Sequence, residues 1–209
     1  LNEHWQQEWR HFQSGQGRAL RHRLEAGFLL GDLTDNLRFQ RVSGTLEDGR
    51  QISGVLLKPE QWLWRGEPGS TQKLSYRIGT DDGGDDDERP SWIKEYEPFQ
   101  FARYPVTVQE WRWFVESGGY DPSAPWWASA GEAAIKWANE YGGASRRPWI
   151  LEDTRFSNGL QPIMGISWFE ALAYAHWSQL LQRFLPAASG TAAGAPAGRI
   201  ELPTEVRWE

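Results

Sequence analysis

The sequence offers few residues whose types and spacing form a reactive site. It contains no cysteine among its 209 residues, which excludes disulfides, thiolate chemistry and cysteine-type zinc sites from this stretch. His4, His11 and His22 lack the clustered spacing of a metal-binding triad. His176 falls within a predicted helix, where a structural histidine is the preferred interpretation. The residues themselves therefore predict no metal centre.

An acidic run occupies residues 81–88, with the sequence Asp-Asp-Gly-Gly-Asp-Asp-Asp-Glu. Carboxylates of this kind bind calcium, but the spacing matches no EF-hand loop. Because like charges at this density repel one another, a solvated loop is the simpler interpretation. Calcium binding stays open as the alternative.

Tryptophan is unusually frequent, with 14 in the chain, and two of these residues are adjacent in a stretch of little periodicity. Residues 120–165 are rich in aromatics, prolines and glycines, and we interpret them as long loops on a scaffold. At least one of the paired tryptophans is expected to be partly exposed and to line a groove. The candidate ligand-binding residues are therefore Trp126, Trp127 and Tyr120.

The charge pattern excludes two classes of partner. The net charge is −6, and no basic stripe runs along any candidate helix, so the electrostatic footprint of a nucleic-acid-binding protein is missing. No stretch reaches the roughly 18 apolar residues of a membrane span. We expect a cytoplasmic protein that binds an unknown ligand or peptide, with no nucleic acid and no membrane as partner.

Two helices have unusually clear start signals. Thr107 and Glu110 form a capping box, and Ser167 and Glu170 form a second one. Gly118 ends the first helix, and the second is predicted to run to about residue 184. The residues expected to face the core are Val108, Trp111, Phe114 and Val115 in the first helix, and Trp168, Ala171, Leu172, Ala175, Trp177 and Leu180 in the second.

The remaining elements are short. Residues 1–37 read as two short helices, which form a cap or the end of an upstream helical region. Asp48 and Gly49 signal a hairpin turn. Residues 186–198 are small and low in complexity, as in a flexible insertion. Strands are predicted at 55–57, 62–64, 99–104 and 200–202.

The end of the sequence carries an interrupted signal. Thr204 is placed as an N-cap, and only about one helical turn follows before Glu209. An isolated turn is not a stable element, because helix nucleation is costly. We therefore expect further residues after Glu209, and a chain lacking them should expose apolar surface and bind hydrophobic dyes at neutral pH.

The motifs, taken in order, resemble the formylglycine-generating enzyme (sulfatase-modifying factor) family. The resemblance covers roughly residues 55–209. Upstream of the main motifs, the segments at 78–79 and 86–90 resemble the start of the family's domain. The motifs that carry it are Tyr104-Pro105-Val106-Thr107, Phe114-Val115-Glu116-Ser117-Gly118-Gly119-Tyr120, Trp126-Trp127, Gly165-Ile166-Ser167-Trp168-Phe169-Glu170-Ala171, and Leu202-Pro203-Thr204-Glu205 with Trp208-Glu209.

The resemblance implies an α+β, C-type-lectin-like fold that is irregular, with two main helices and short antiparallel strands, preceded by a short helical segment. On that basis residues 38–209 are the N-terminal part of the domain, within a larger multidomain chain. In the family, copper held by two cysteines and the calcium ligands come after the Pro-Thr-Glu motif. No cofactor is therefore implied for this segment, and copper or calcium is implied only with residues beyond it.

This sequence departs from the family pattern in two places. Arg207 stands where the family has an acidic residue that completes a capping box, and the insertion at 186–198 lengthens the connection before Leu202. Related members use iron to form carbon–sulfur bonds in thiol-histidine synthesis, with histidine ligands from an N-terminal helical domain. No catalytic residue can be transferred to this chain.

Three functions remain open from the sequence. The first is a sulfatase-modifying-factor-like domain whose cysteine and copper oxidase chemistry lies outside this chain. The second is a non-catalytic ligand-binding or sensor module on the lectin-like scaffold. The third is a scaffold piece that supports neighbouring domains. Fold alone does not decide among them.

Overall fold

The computed structural model describes residues 38–84, 86–143, 146–153, 158–185, 198–204 and 207. The helical segment predicted at 1–37, and most of the insertion predicted at 186–198, lie outside these residues, and so do His4, His11 and His22. The division into 1–37 and 38–209 therefore stays a prediction.

The described chain is a mixed α/β structure with short antiparallel strands and four helices, which confirms the predicted class. Each of the three sheets has two strands, and the pairs are β1 with β2, β3 with β6, and β4 with β5. None of the described helices is both long and apolar enough to cross a bilayer. The strands are β1 (Phe39–Thr45), β2 (Gln51–Leu57), β3 (Trp62–Arg65), β4 (Leu74–Ile78), β5 (Trp92–Tyr96) and β6 (Phe99–Ala102).

The helices include both predicted ones and two that the sequence interpretation missed. They are α1 (Val108–Glu116), α2 (Pro125–Ser129), α3 (Glu132–Tyr141) and α4 (Trp168–Gln182). The interpretation of residues 120–165 as loops is wrong for α2 and α3. The buried face of α3 consists of Ala134 and Ala138, and small side chains give only a weak apolar signal in a sequence.

The predicted hairpin at Asp48 and Gly49 is confirmed as the turn between β1 and β2. Gly49 has a φ of 83°, which is a left-handed conformation that a residue without a Cβ adopts at little cost. Val42, Ile52 and Leu56 extend from this hairpin into the core, where they join side chains of α1, α2, α3 and α4.

The hairpin lies unusually close to α4. A Cβ at Gly54 would be 2.3 Å from the Trp177 ring, closer than any real side-chain contact. Trp177 is fully buried at this point, as predicted for a core residue. Trp111 is also buried as predicted, but Trp168 is 62% exposed, so its assignment to the core is wrong. As the first residue of α4, Trp168 precedes the buried face of Glu170, Ala173 and Trp177.

Residues 198–204 do not form the strand predicted at 200–202. The Ile200 N–H donates to Gln179 Oε1 at 2.5 Å, which holds the segment against α4. The Arg207 N–H donates to the Thr204 carbonyl at 3.0 Å. The guanidinium of Arg207 lies 5.1 Å from the centre of the Tyr96 ring, 5.3 Å from that of Phe99, and Nη1 pairs with Glu201 at 2.5 Å.

Gly54→Ala should reduce the free energy of unfolding by about 1–3 kcal/mol, because the added methyl group overlaps the Trp177 ring. Urea unfolding followed by tryptophan fluorescence measures the change. Ser53→Ala, at an exposed neighbouring position, is the matched control and should change stability by less than about 0.5 kcal/mol. Equal stability of Gly54→Ala and the wild type would show that the hairpin does not lie against α4.

An ion pair connects the hairpin turn to the loop after α1. Arg50 Nη1 donates to Asp121 Oδ2 at 2.6 Å, and Nη2 donates to Ser123 Oγ at 3.0 Å. Partial burial raises the pKa of Asp121, but hydrogen bonds from Ser123 and Arg50 outweigh burial, and the net pKa lies below the ordinary value.

Because the folded-state pKa of Asp121 is lowered, its contribution to stability is present above the unfolded pKa of about 3.9 and is lost as the pH falls through the lowered value. Asp121→Asn should therefore lose less stability than the wild type when the pH falls from about 5 to about 2.5, a range that spans the unfolded pKa. Urea midpoints across that range measure this, with Asp82→Asn as the control for removing one exposed carboxylate. Parallel wild-type and Asp121→Asn profiles would contradict the assignment.

Candidate functional site

A buried polar cluster joins the starts of α1 and α4. Both predicted capping boxes are confirmed. The Thr107 N–H donates to Glu110 Oε2 at 2.8 Å, and the Ser167 N–H donates to Glu170 Oε2 at 2.6 Å. Glu110 is 3% exposed and Glu170 is 1% exposed, so both carboxylates lie in the core and depend on these donors.

Tyr120 connects the two helices through Glu170. Its hydroxyl donates to Glu170 Oε1 at 2.6 Å, and Trp111 Nε1 donates to the Tyr120 oxygen at 3.3 Å. Burial first, and then the hydrogen bond to Glu170, raise the pKa of Tyr120 far above its ordinary value. The phenol therefore stays protonated and acts as a fixed donor.

A loop of residues 158–163 completes the start of α1. The Val108 N–H donates to the Gln161 carbonyl at 2.8 Å, and the Gln109 N–H donates to the Gly159 carbonyl at 2.9 Å. Together with the capping box, these bonds satisfy donors that a helix start otherwise leaves unpaired. The loops around the cluster are thus fixed by backbone hydrogen bonds.

The paired tryptophans belong to the core. Trp126 is 1% exposed and Trp127 is fully buried, so the expectation that one of them is partly exposed is wrong. Both Nε1 atoms donate to the Gly119 carbonyl, at 2.9 and 3.0 Å, which satisfies their single polar group away from water. The loop assignment is also wrong, because Pro125 occupies the first turn of α2.

Tyr120 is likewise buried, at 2% exposure. The structure brings Tyr120 and Trp127 together, with ring centres 6.5 Å apart, but inside the core rather than along a groove. Ligand contact by Trp126, Trp127 and Tyr120 stays a prediction, and in this structure it would require the core to open. The sequence signal that could have shown the helix here is Pro125, since proline is favoured in the first turn of a helix.

No described set of side chains forms a metal centre. Among residues 38–84, 86–143 and the later described stretches, no group of three or more His, Asp or Glu side chains is placed to hold an ion. The Asp81 oxygens accept hydrogen bonds from Ser91, at 3.0 Å from N and 2.7 Å from Oγ. His176 is partly buried on α4; burial, with the charge of Arg199 as the smaller cause, lowers its pKa.

Aromatic side chains extend from the buried cluster to the surface. Trp137 of α3 stacks on Trp127 at 5.5 Å and lies 6.3 Å from Phe169 of α4. Arg146 lies over Trp137, with 5.7 Å between the guanidinium carbon and the ring centre. Partly buried rings here therefore continue the aromatic contacts of the core towards the surface.

Tyr120→Phe should reduce the free energy of unfolding by about 1–3 kcal/mol, because Glu170 Oε1 loses its donor inside the core. Urea unfolding at pH 7 measures the loss. Tyr141→Phe removes a hydroxyl from a half-exposed ring and serves as the matched control. Equal losses in the two variants would mean that the Tyr120 hydroxyl does not support Glu170.

Comparison with known proteins identifies sequences that are similar to this chain. Residues 68–209 match the sulfatase-modifying factor enzyme 1-like domain. The chain is 33% identical to hercynine oxygenase from Mycolicibacterium smegmatis over 151 residues, which is 68% of this chain and 29% of that protein. It is also 33% identical to hercynine oxygenase from Mycobacterium tuberculosis over 132 residues, which is 59% of this chain and 25% of that protein.

The matched region contains both capping boxes, Tyr120 and the paired tryptophans, which are the features that build the core. The chain spans under a third of the length of the curated relatives it matches. The domain match itself covers more than half of the chain. This chain belongs to the sulfatase-modifying factor family.

Proposed function

We propose that this chain is the sulfatase-modifying-factor-type part of an oxygenase that acts on hercynine or a close chemical relative. The observation that supports the proposal is the similarity, at 33–34% identity, to hercynine oxygenases from three mycobacterial species. These matches cover 59–68% of this chain, so they extend over most of the domain rather than a single motif.

The described residues contribute scaffold rather than reactive groups in this proposal. Glu110, Glu170 and Tyr120 are all engaged by hydrogen bonds inside the core and are closed to a substrate. Their role is to fix the starts of α1 and α4 and the loops between them. A rigid scaffold of this kind holds site residues at the distances that catalysis requires.

A metal does not fit the described residues. Copper and calcium, which the family resemblance implies, both need several ligands, and the described side chains provide no group that could hold an ion. We therefore assign no step to a metal at the described residues. In this proposal, any metal and the oxygen chemistry belong to residues beyond them.

The alternative function, a non-catalytic ligand-binding module, is not favoured, because the relatives reported above are named as oxygenases. The proposal includes a small-molecule substrate and no nucleic acid or membrane as partner, in line with the net charge of −6. It also includes a cytoplasmic location, which fractionation of the source cells would test.

The test uses the protein encoded by the whole reading frame that contains this chain. We expect hercynine, supplied together with a cysteine-derived thiol as the sulfur donor, to stimulate oxygen consumption, with a turnover within the usual range of about 1–1000 per second. Treatment with a chelator should abolish the stimulation, and readdition of individual metals should identify the one that restores it. An oxygen electrode and mass spectrometry of the product provide the two measurements.

One control distinguishes between related reactions. A cysteine-containing peptide replaces hercynine in a parallel assay, since the family also includes enzymes that oxidise peptide cysteines. Oxygen consumption with the peptide and none with hercynine would overturn the proposed substrate. No oxygen consumption with either compound, in folded protein reconstituted with metal, would overturn the assignment as an oxygenase.

A further inference from the structure

One asparagine of the sequence stands directly before a glycine, and the pair is Asn158 and Gly159. The pair belongs to the loop of residues 158–163 that completes the start of α1. In such a pair the backbone nitrogen of the glycine can attack the side-chain amide carbon of the asparagine. A residue without a Cβ leaves that approach open and adopts the backbone conformation that it requires. The pair therefore marks a position where the chain can change covalently without an enzyme.

The loop holds the side chain of Asn158 along its own backbone. The Leu160 N–H donates to Asn158 Oδ1 at 3.0 Å, which forms an Asx turn. The Asn158 N–H donates to Gln161 Oε1, and the Gln161 N–H donates to the Asn158 carbonyl, both at 3.1 Å. An Asx turn folds the side-chain amide back towards the next peptide bond, which here belongs to Gly159.

The groups that would react are not engaged elsewhere. Among the described residues, neither the Gly159 N–H nor Asn158 Nδ2 has a hydrogen-bond partner. The glycine nitrogen can therefore lose its proton, and ammonia can leave, without breaking a hydrogen bond of the fold. The bond from Leu160 to Oδ1 also makes the amide carbon more electrophilic, because it withdraws electron density from the carbonyl. Asn158 is half-buried, so water still reaches it.

We propose that Asn158 is a site of spontaneous deamidation in the folded protein, and that one product of this modification weakens the start of α1. First, the Gly159 nitrogen loses its proton and bonds to Asn158 Cγ, while the bond from Cγ to Nδ2 breaks and releases ammonia. Water then opens the resulting succinimide ring at either of its two carbonyl carbons, which leaves Asp or isoAsp at position 158. The proposal does not depend on the oxygenase assignment.

The two products differ in what they do to the main chain. Asp keeps the length of the backbone and an oxygen acceptor for the Leu160 N–H. Its new negative charge lies close to the N-terminus of α1, where a helix favours an anion. The isoAsp product instead continues the main chain through the former side chain, which adds one carbon atom between residues 158 and 159. Only isoAsp therefore changes the path of the loop.

The added atom acts on hydrogen bonds that the loop makes to α1. The Gly159 carbonyl accepts from the Gln109 N–H at 2.9 Å, and the Gln161 carbonyl accepts from the Val108 N–H at 2.8 Å. Both carbonyls come directly after the altered linkage. Their displacement would leave N–H groups at the helix start without the acceptors that they need away from water.

The loop is not able to absorb the added atom by shifting as a whole. At its other end the Ile163 N–H donates to the Val106 carbonyl at 2.9 Å. Thr107 and Pro162 form an antiparallel bridge next to this bond. Because these contacts fix the end of the loop, the displacement falls on the residues nearest position 158, which are the ones that bind α1.

The test follows the protein encoded by the whole reading frame that contains this chain as it ages. Folded protein is incubated at mildly alkaline pH, where the glycine nitrogen loses its proton more readily. Mass spectrometry of proteolytic peptides locates each deamidation, and electron-transfer fragmentation separates Asp from isoAsp. We expect Asn158 to be deamidated faster than Asn139, an exposed residue of α3 that precedes Glu140.

Variants connect the modification with stability, which urea unfolding measures by tryptophan fluorescence. Aged wild-type protein should contain a fraction that unfolds at lower urea, in proportion to its isoAsp content. Asn158→Ser keeps an oxygen acceptor for the Leu160 N–H but has no amide to lose, so its midpoint should not change with age. Freshly prepared Asn158→Asp should unfold at the wild-type midpoint. Asn139→Ser is the matched control and should age as the wild type does.

Three results would overturn the proposal. If Asn158 is deamidated in urea-unfolded protein but stays intact in folded protein, the fold protects this residue. If a sample rich in isoAsp unfolds at the wild-type midpoint, the modification does not weaken the start of α1. If Asn158→Ser loses stability with age as the wild type does, the change that matters lies at another residue.

Discussion

Two buried carboxylates set the geometry on which the rest of the structure depends. Glu110 and Glu170 each occupy the third position of a helix, and each is nearly inaccessible to water. A buried carboxylate is tolerated only when hydrogen bonds replace its lost hydration. Each helix can therefore start only where the backbone N–H of its cap residue meets the glutamate.

The two glutamates also determine how the helices face each other. Tyr120 donates to Glu170 and accepts from Trp111 of α1, so one hydroxyl connects both helices. Tyr174 of α4 stacks on Trp111 at 5.2 Å. Burial, followed by the charge of Glu110, raises the pKa of Tyr174 well above its ordinary value. The polar pairs thus select one packing of the aromatic core, which apolar contacts alone leave less specific.

The elements that could be predicted are those with a local physical signal. A capping box is specified by four consecutive residues and a hairpin turn by two, so both can be predicted without knowledge of the core. The assignment of Trp168 to the core was wrong because the position of the apolar face around a helix is set by the whole helix and cannot be read from its first turn. The burial of Trp126 and Trp127 depends on the Gly119 carbonyl, whose position is fixed only after the chain folds.

The same limit applies to two arginines that lie over aromatic rings, since their distances to the paired carboxylate differ. Arg207 lies over Tyr96 and Phe99 and pairs with Glu201 at 2.5 Å, so its charge is already compensated. Those contacts give the arginine at position 207 both aromatic and ionic partners. Arg146 also lies over an aromatic ring, but its nearest carboxylate is 4.0 Å away and engaged with Tyr120.

Both arginines have a buried Nε without a partner among the described residues. The difference therefore lies in the carboxylate rather than in the arginine or its ring. Glu201 is 44% exposed and is able to turn towards Arg207, whereas Glu170 is held in the core by its capping box and by Tyr120. The buried carboxylate that positions α4 is thus kept at 4.0 Å from Arg146 by its own hydrogen bonds.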